Sequence, residues 1–252
     1  MVKIGVIGGS GLDDPQILKQ AVVKEVVNRF GQPSSSLTCG EIGGTPVVIL
    51  ARHGKEHNIM PTKINNLANI QALKEEGCTH ILAATAVGSL REEIKPGNLV
   101  FPSQFIDFTR HRNLTFFSES VVHTPMSDPY DKGLTDILCA TCDELGYKYN
   151  RDVTVITIEG PRFSTRAESH MFRAWGADII NMSTCPEVVL ARELSLAYQT
   201  IAMSTDYDCW KEGEAPVTYE MVMARMRENA DKVKTLLIKV IPKISKVTSK
   251  SQ

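Results

Sequence analysis

Short apolar runs typical of β-strands alternate along this sequence with amphipathic helical segments, and few architectures accept that order. The strand-like runs cover residues 2–7, 46–50, 80–84, 98–106, 153–158, 178–182 and a run that begins at residue 201. Helical patterns cover residues 63–76, 133–146, 187–196, 217–240 and a segment that begins at residue 165. Strands that alternate with helices predict an α/β fold, in which helices flank a mostly parallel or mixed sheet.

No internal repeat or low-complexity linker divides the 252 residues, so we expect a single domain over residues 1–252. The Pro-, Gly- and Ser-rich residues 30–40 predict a surface loop. Residues 108–122 are polar, aromatic and irregular, which predicts an interface or lid loop. Residues 243–252 read as a polar tail without a motif.

Composition argues against nucleic-acid and membrane partners. The net charge is -1, no basic block is present, and no apolar run approaches the ~18 residues needed to span a bilayer. The six cysteines show no disulfide framework, and the Cys139-x-x-Cys142 pair lies in a helical pattern without redox context. The N-terminal residues follow no signal-peptide pattern. We therefore expect reduced thiols in a cytoplasmic protein, with the nucleus open as a further location in a eukaryote.

Several strand-like runs end in residues suited to an oxyanion, and open α/β sheets bind ligands at such ends. The first run ends in a glycine turn that contains Ser10, which is compatible with a plain turn or with a phosphate site. Arg52 and His53 follow the second run, and a guanidinium matches phosphate oxygens geometrically. Other runs end in small hydroxyl or backbone groups, at Thr85, Ala86 and Ser183.

Residues 53–57 also match the His-x-x-Glu-His pattern of some zinc proteases. A zinc site of that kind needs a helix that brings both histidines to one face of the metal. Here the segment follows a strand, contains Gly54 and runs into Pro61, so we interpret it as a loop. The sequence therefore favours an anion site over a metal site.

The run that begins at Ile201 leads into two carboxylates at alternate positions, Asp206 and Asp208. Like charges this close repel, so one of them is suited to handling a proton on a nitrogenous leaving group. Phe163, in a glycine–proline turn, is suited to stacking on a planar ring, and Met182 to packing on a sugar. Glu159, at the same turn, is equally suited to a structural ion pair with a neighbouring arginine.

Together these residue types fit phosphorolysis of a nucleoside, in which phosphate attacks the anomeric carbon and a purine leaves with a protonated ring nitrogen. The transition state resembles an oxocarbenium ion, so the protein mainly positions phosphate and stabilises the leaving base. This chemistry needs no metal or organic cofactor. Inorganic phosphate takes part as a co-substrate.

Five motifs in this order resemble the trimeric purine nucleoside phosphorylase family, and within it the members that act on S-methyl-5'-thioadenosine. They are Gly8-Gly9-Ser10-Gly11, Arg52-His53-Gly54, Thr85-Ala86-Val87-Gly88-Ser89-Leu90, the segment from Glu159-Gly160-Pro161-Arg162-Phe163 to Glu168, and Thr205-Asp206-Tyr207-Asp208. The resemblance runs from about residue 3 to residue 244. It implies a single domain with a central mixed, partly barrel-like sheet flanked by helices. It also implies a homotrimer that serves purine and methionine salvage.

The resemblance further implies specific roles for residues. Phosphate contacts are implied for Ser10, Arg52, His53, Thr85, Ala86 and Ser183. Contacts to the ribose and base, including the catalytic ones, are implied for Phe163, Ser164, Met182, Asp206 and Asp208. The pocket for the 5' substituent is expected from Val217, Tyr219 and Val222, with His123 contributed by a neighbouring subunit.

The expected reaction is phosphate-dependent cleavage of S-methyl-5'-thioadenosine to adenine and 5-methylthioribose 1-phosphate. An aspartate at position 206 can accept from an exocyclic amino group, whereas 6-oxopurine enzymes of the family place an asparagine there. Tyr219 is larger than the small aliphatic residue expected, and the C-terminal segment is short. A broader 6-aminopurine phosphorylase that also takes adenosine therefore stays open. A 6-oxopurine phosphorylase, a hydrolytic nucleosidase and a non-enzymatic nucleotide-binding module are further alternatives.

Overall fold

A mixed nine-stranded sheet forms the centre of the molecule in the computed structural model, which describes residues 2–8, 17–213 and 218–248. The strands are β1 (Ile4–Gly8), β2 (Lys19–Lys24), β3 (Leu37–Ile42), β4 (Thr45–Ala51), β5 (His80–Ser89), β6 (Leu99–Phe108), β7 (Tyr149–Ile158), β8 (Ile179–Asn181) and β9 (Ala197–Asp206). Their order in the sheet is β2-β3-β4-β1-β5-β8-β7-β6-β9. The predicted α/β class is confirmed.

Five α-helices cover the sheet in the described part of the chain. They are α1 (Asn66–Glu75), α2 (Lys132–Leu145), α3 (Arg166–Ala174), α4 (Thr184–Glu193) and α5 (Tyr219–Thr248). Side-chain caps begin three of them: Asn65 for α1, Asp131 for α2 and Thr165 for α3. The predicted capping box between Thr165 and Glu168 is confirmed. Among the described residues, no helix is both long enough and apolar enough to cross a membrane.

Part of the sheet closes on itself. β9 pairs with β6 at the end of the strand order and also with β5, so β5, β8, β7, β6 and β9 form a closed ring. β1 and β4 extend from β5 as parallel neighbours, and β3 and β2 add an antiparallel edge. This arrangement confirms the expected partly barrel-like sheet.

The core lies on both faces of this sheet because most strands have apolar residues on both sides. One cluster joins the sheet residues Leu82 and Phe101 to Leu236 and Val240 of α5, all of which are fully buried. A second cluster packs α1 and α4 against the opposite face. The helices thereby hold the strand ends, where the predicted site residues lie, in fixed positions.

Two segments differ from the sequence prediction. The loop expected over residues 30–40 contains the start of β3, and Leu37 is fully buried because β3 pairs with β4. The expected polar tail from residue 243 is wrong as far as Thr248, because α5 continues and buries Ile244 against the core. In the same turn Lys243 lies 2.6 Å from Glu144 of α2.

The start of α4 is also corrected, and one exposed strand was not anticipated. α4 begins at Thr184 rather than at residue 187, although non-helical dihedrals at Cys185 interrupt its first turn. α5 is described from Tyr219, and the expected start at residue 217 lies outside the described residues. β2 was not predicted, and its side chains are all exposed at the edge of the sheet.

Candidate active site

A cavity of about 420 Å³ lies where β4, β5, β8 and β9 end, closed on one side by the first turns of α5. Most of the predicted site residues line it: Arg52, His53, Thr85, Ala86, Phe163, Ser164, Met182, Ser183, Asp206, Asp208, Tyr219 and Val222. Ser10 and Val217 lie outside the described residues. His123 is exposed and does not line the cavity of the single chain.

Arg52 is held at one end of the cavity by a buried carboxylate. Its Nε and Nη2 donate to the two carboxylate oxygens of Glu187 at 2.5 and 3.0 Å, and Nη1 donates to the carbonyl of Ala84 at 2.8 Å. Burial opposes the charge, but Glu187 raises the pKa of Arg52 above its ordinary value. Tyr198 also donates to Glu187, at 3.0 Å. The guanidinium is therefore fixed in position before any anion binds.

Two hydroxyls lie at the same end of the cavity. Thr85 Oγ1 and Ser183 Oγ are 2.7 Å apart, and both residues are buried. Asn181 shapes the turn that carries Ser183, because it accepts from Thr157 Oγ1 at 2.9 Å and donates to Thr184 Oγ1 at 2.6 Å. With Arg52, these hydroxyls form a set of donors suited to a tetrahedral oxyanion.

His53 lies beside Arg52 as a neutral imidazole. Its Nδ1 donates to the carbonyl of Ile59 at 2.8 Å, and burial together with the charge of Arg52 lowers its pKa to about 4. Residues 52–57 form turns rather than a helix, and the ring centroids of His53 and His57 lie 4.5 Å apart with their planes tilted by 38°. No cluster of three His, Cys, Asp or Glu suited to a metal ion occurs among the described residues.

The carboxylate pair lines the cavity further along β5 than Arg52: Asp206 and Asp208 lie beside Gly88, whereas Arg52 donates to Ala84. Asp206 is 9% exposed, accepts from Thr205 Oγ1 and from the backbone N–H of Asp208, each at 2.7 Å, and has its pKa raised by burial. Ser164 Oγ lies 2.8 Å from both carboxylate oxygens of Asp208. The two aspartates therefore have separate partners, which lets one share a proton while the other stays fixed by Ser164.

Aromatic and thioether groups form the walls between the two ends. Phe163 is 40% exposed at the cavity rim. Met182 packs on Gly160, where an added Cβ would lie 2.5 Å from the Met182 sulfur. Gly160 also has a φ of 69°, which L side chains rarely adopt. Met182 thus reaches the cavity only because residue 160 is a glycine.

Glu159 and Arg162 of the glycine–proline turn each form an ion pair with a residue outside the turn. Glu159 pairs with Arg112 at 3.3 Å, and Arg162 pairs with Glu168 at 2.6 Å. Arg112 also donates to the carbonyls of Glu159 and Cys185, so it ties residues 109–131 to the site. Neither Arg112 nor Glu187 was predicted, because each looks like an ordinary charged residue until the fold buries it.

The first turns of α5 give the cavity an apolar side. Val222, Met223 and Met226 line it there, and Tyr219 lies at its opening with 55% of its surface exposed. The cavity thus offers an oxyanion end, a buried carboxylate end and an apolar side, which match the phosphate, base and 5' substituent of a nucleoside phosphorolysis reaction.

The family comparison agrees with this geometry. The chain belongs to the Phosphorylase superfamily, whose family model matches residues 3–242. The chain is 53% identical to the S-methyl-5'-thioadenosine phosphorylase of Danio rerio, over 96% of this chain and 89% of that protein. It is 51% identical to the enzyme of the same name from Drosophila melanogaster, over 97% of this chain and 87% of that protein.

Solved structures give the same relationship. The methylthioadenosine phosphorylase from Schistosoma mansoni in complex with adenine superposes with a TM-score of 0.93, at 40% identity over 97% of this chain and 92% of that one. A mutant of the adenosine/methylthioadenosine phosphorylase from the same organism, in complex with methylthioadenosine, superposes with a TM-score of 0.92. Its identity is 39%, over 97% of this chain and 92% of that one. The predicted relationship to nucleoside phosphorylases is therefore confirmed.

Proposed function

We propose that this chain is a pentosyltransferase that cleaves S-methyl-5'-thioadenosine with phosphate, giving adenine and 5-methylthioribose 1-phosphate. The observation that carries the proposal is that one cavity is lined both by Arg52, which donates to Ala84, and by Asp206, which lies beside Gly88 further along β5. Identities of 53% and 51% to enzymes of that name, over nearly the whole chain, support the same substrate.

The reaction follows from the three parts of the cavity. Arg52, Thr85 and Ser183 orient phosphate so that one deprotonated oxygen faces the anomeric carbon. As the C–O bond forms, the C–N bond breaks, and its electron pair moves into the purine. The purine gains a proton at a ring nitrogen, which Asp206 is placed to share because burial raises its pKa. The products are 5-methylthioribose 1-phosphate and free adenine.

The preference for adenine is assigned to Asp206 and to the Ser164–Asp208 pair. The carboxylate of Asp206 can accept from the 6-amino group, whereas a 6-oxo group would place an acceptor against an acceptor. A buried polar group left without its partner costs about 1–3 kcal/mol. Adenine-type bases are therefore favoured over hypoxanthine and guanine.

The deciding experiment measures adenine release from S-methyl-5'-thioadenosine with and without inorganic phosphate. We expect release only with phosphate, together with formation of 5-methylthioribose 1-phosphate. Release without phosphate would identify a hydrolytic nucleosidase. No release under either condition would identify a binding module. The reaction is proposed to need no metal or organic cofactor, so a chelator in the same assay should leave the rate unchanged.

A broader 6-aminopurine activity is the second candidate, and Tyr219 favours it. Tyr219 lines the cavity together with Val222, Met223 and Met226, and it brings to this apolar side a hydroxyl that can pair with a 5'-hydroxyl. A related enzyme from Schistosoma mansoni is described as an adenosine/methylthioadenosine phosphorylase. Comparable kcat/KM values on adenosine and on S-methyl-5'-thioadenosine would establish the broader activity.

The assembly is proposed to be a homotrimer in which His123 reaches the 5' end of a neighbour's substrate. Its support is the exposure of Leu114, Val121 and Val122, which lie near His123 in an irregular segment. Light scattering should give three times the chain mass. The His123→Ala variant should raise KM for the nucleoside more than KM for phosphate. We further propose a cytoplasmic location, which imaging of a tagged chain tests.

A further inference from the structure

The oxyanion end of the cavity contains no uncompensated positive charge among the described residues. Arg52 is the one arginine or lysine that lines the described cavity, and two of its nitrogens already bind Glu187, which is 1% exposed. Arg112, whose charge also lowers the pKa of His53, is paired with Glu159. Electrostatic attraction by a net positive charge therefore discriminates poorly between anions at this end of the cavity. The hydrogen-bond donors and acceptors of the anions must provide the discrimination instead.

At this end of the cavity, the two ring nitrogens of His53 have fixed roles as one hydrogen-bond donor and one acceptor. The carbonyl of Ile59 can only accept, so Nδ1 at 2.8 Å from it carries a proton. The pKa of about 4, caused by burial and by Arg52, keeps the ring neutral near neutral pH. Nε2 is then an acceptor. It has no hydrogen-bond partner within the described ranges, and the bond from Nδ1 to the carbonyl of Ile59 fixes the orientation of the ring.

We propose that His53 Nε2 accepts a hydrogen bond from the protonated oxygen of hydrogen phosphate, so that the site selects anions that carry a proton. The proposal rests on the proposed function, because it takes phosphate as the co-substrate. Arsenate carries the same proton and is accepted. Sulfate and monofluorophosphate are dianions of similar size without that proton, and each would place an oxygen or fluorine lone pair against Nε2.

The polarity of His53 also orients the nucleophile. Phosphate has one protonated oxygen near neutral pH, and Nε2 fixes where that oxygen lies. The three deprotonated oxygens then face Arg52, the hydroxyls of Thr85 and Ser183, and the anomeric carbon. His53 thus acts as a specificity residue that keeps the unreactive, protonated oxygen away from the reacting carbon.

A doubly protonated His53 gives the opposite expectation. An imidazolium donates from both nitrogens, so Nε2 would bind any oxyanion, and sulfate would match phosphate. Anion selectivity therefore separates the two states of the ring without any measurement of its titration.

The experiment compares four anions by calorimetry on the unmodified protein: phosphate, arsenate, sulfate and monofluorophosphate. We expect arsenate to bind within about threefold of phosphate. Sulfate and monofluorophosphate should bind at least about tenfold more weakly, as expected for one lost hydrogen bond and one unpaired acceptor. In steady-state assays the same two anions should be poor competitors of phosphate, while arsenate should support adenine release.

The His53→Gln variant tests the residue itself, since a side-chain amide can turn either its oxygen or its nitrogen toward the anion. It should bind phosphate more weakly and bring the sulfate-to-phosphate ratio within about threefold. His170→Gln, an exposed histidine on α3, is the matched control and should keep the wild-type ratio.

Equal binding of phosphate, sulfate and monofluorophosphate by the unmodified protein would overturn the proposal, even if His53→Gln fails to fold. Absence of phosphate binding would overturn it as well. Phosphate-selective binding without adenine release would instead support the inference while refuting the proposed function, so the two failures are distinguishable.

Discussion

Replacing Asp206 by asparagine should remove most of the activity while leaving the fold nearly unchanged. The backbone N–H of Asp208 donates to Oδ1 at 2.7 Å, and this donor cannot turn away. The amide oxygen of an asparagine must therefore take that position, which directs its NH₂ toward Thr205 Oγ1, now 2.7 Å from Oδ2. Thr205 can turn its hydroxyl proton to the carbonyl of Val87 at 3.2 Å and accept from the amide.

Because every hydrogen bond has a replacement, the free energy of unfolding should change by less than about 1 kcal/mol. The proton-sharing role of the Asp206 carboxylate in the reaction has no such replacement. An amide cannot share a proton with the leaving purine, and general acid–base groups contribute about 10²–10⁴-fold. We expect kcat/KM for S-methyl-5'-thioadenosine to fall at least about 100-fold, and 6-oxopurine substrates to gain relative to it.

The assay is adenine release at saturating phosphate, with the melting temperature recorded in parallel. Asp136→Asn is the matched control, because Asp136 is 52% exposed and pairs with Arg151 at the surface. A variant at position 206 that keeps kcat/KM within about threefold of wild type, with unchanged base preference, would refute the reasoning and move the proton-sharing role to another group.

Three further perturbations follow from the same structure. The pKa of His53 is about 4 in the fold, against about 6.5 in an unfolded chain, so the unfolded state takes up the extra proton first. Stability should therefore fall by roughly 2–3 kcal/mol as the pH drops from about 6.5 to about 4, and His53→Gln should flatten that loss in urea titrations across this range. Gly160→Ala should push Met182 out of the cavity wall and raise KM for the nucleoside more than KM for phosphate in steady-state kinetics. Ile244→Ala should cost about 2–4 kcal/mol of unfolding free energy, whereas Ile238→Ala, 44% exposed on the same helix, should cost less than about 1 kcal/mol in the same denaturation series.

Patterns that depend on nearby residues were predicted well. The strand before Arg52, the capping box at Thr165 and the polar strand end at Asp206 each have a local signature, and each is found where the sequence placed it. The cavity brings the predicted anion and carboxylate residues together because most of them lie at or just after ends of strands in one sheet. Thr85 and Ala86 are exceptions, because β5 does not end at residue 84 but continues to Ser89.

Features that depend on distant partners were not predicted. Glu187 lies 135 residues from Arg52, and no local pattern indicates that a fold will bury the two as a pair. The incorrect prediction of a polar tail from residue 243 has a related cause. Residues 243–248 look polar in sequence, but one face of that last stretch of α5 packs on the core through Ile244.

The closed ring of strands has a consequence for how the site comes into existence. β9 is the last of the described strands in the chain, yet it completes the ring by pairing with β5 and β6. Thr205 Oγ1 lies 3.2 Å from the carbonyl of Val87, 118 residues earlier in the chain, so the oxyanion and carboxylate ends meet only after most of the chain has been synthesised. Contacts this distant slow folding. Until β9 arrives, β5 and β6 present unpaired edges that favour aggregation. Nascent chains that stop before β9 should thus be inactive and prone to aggregate, and the cavity should form in the last cooperative step.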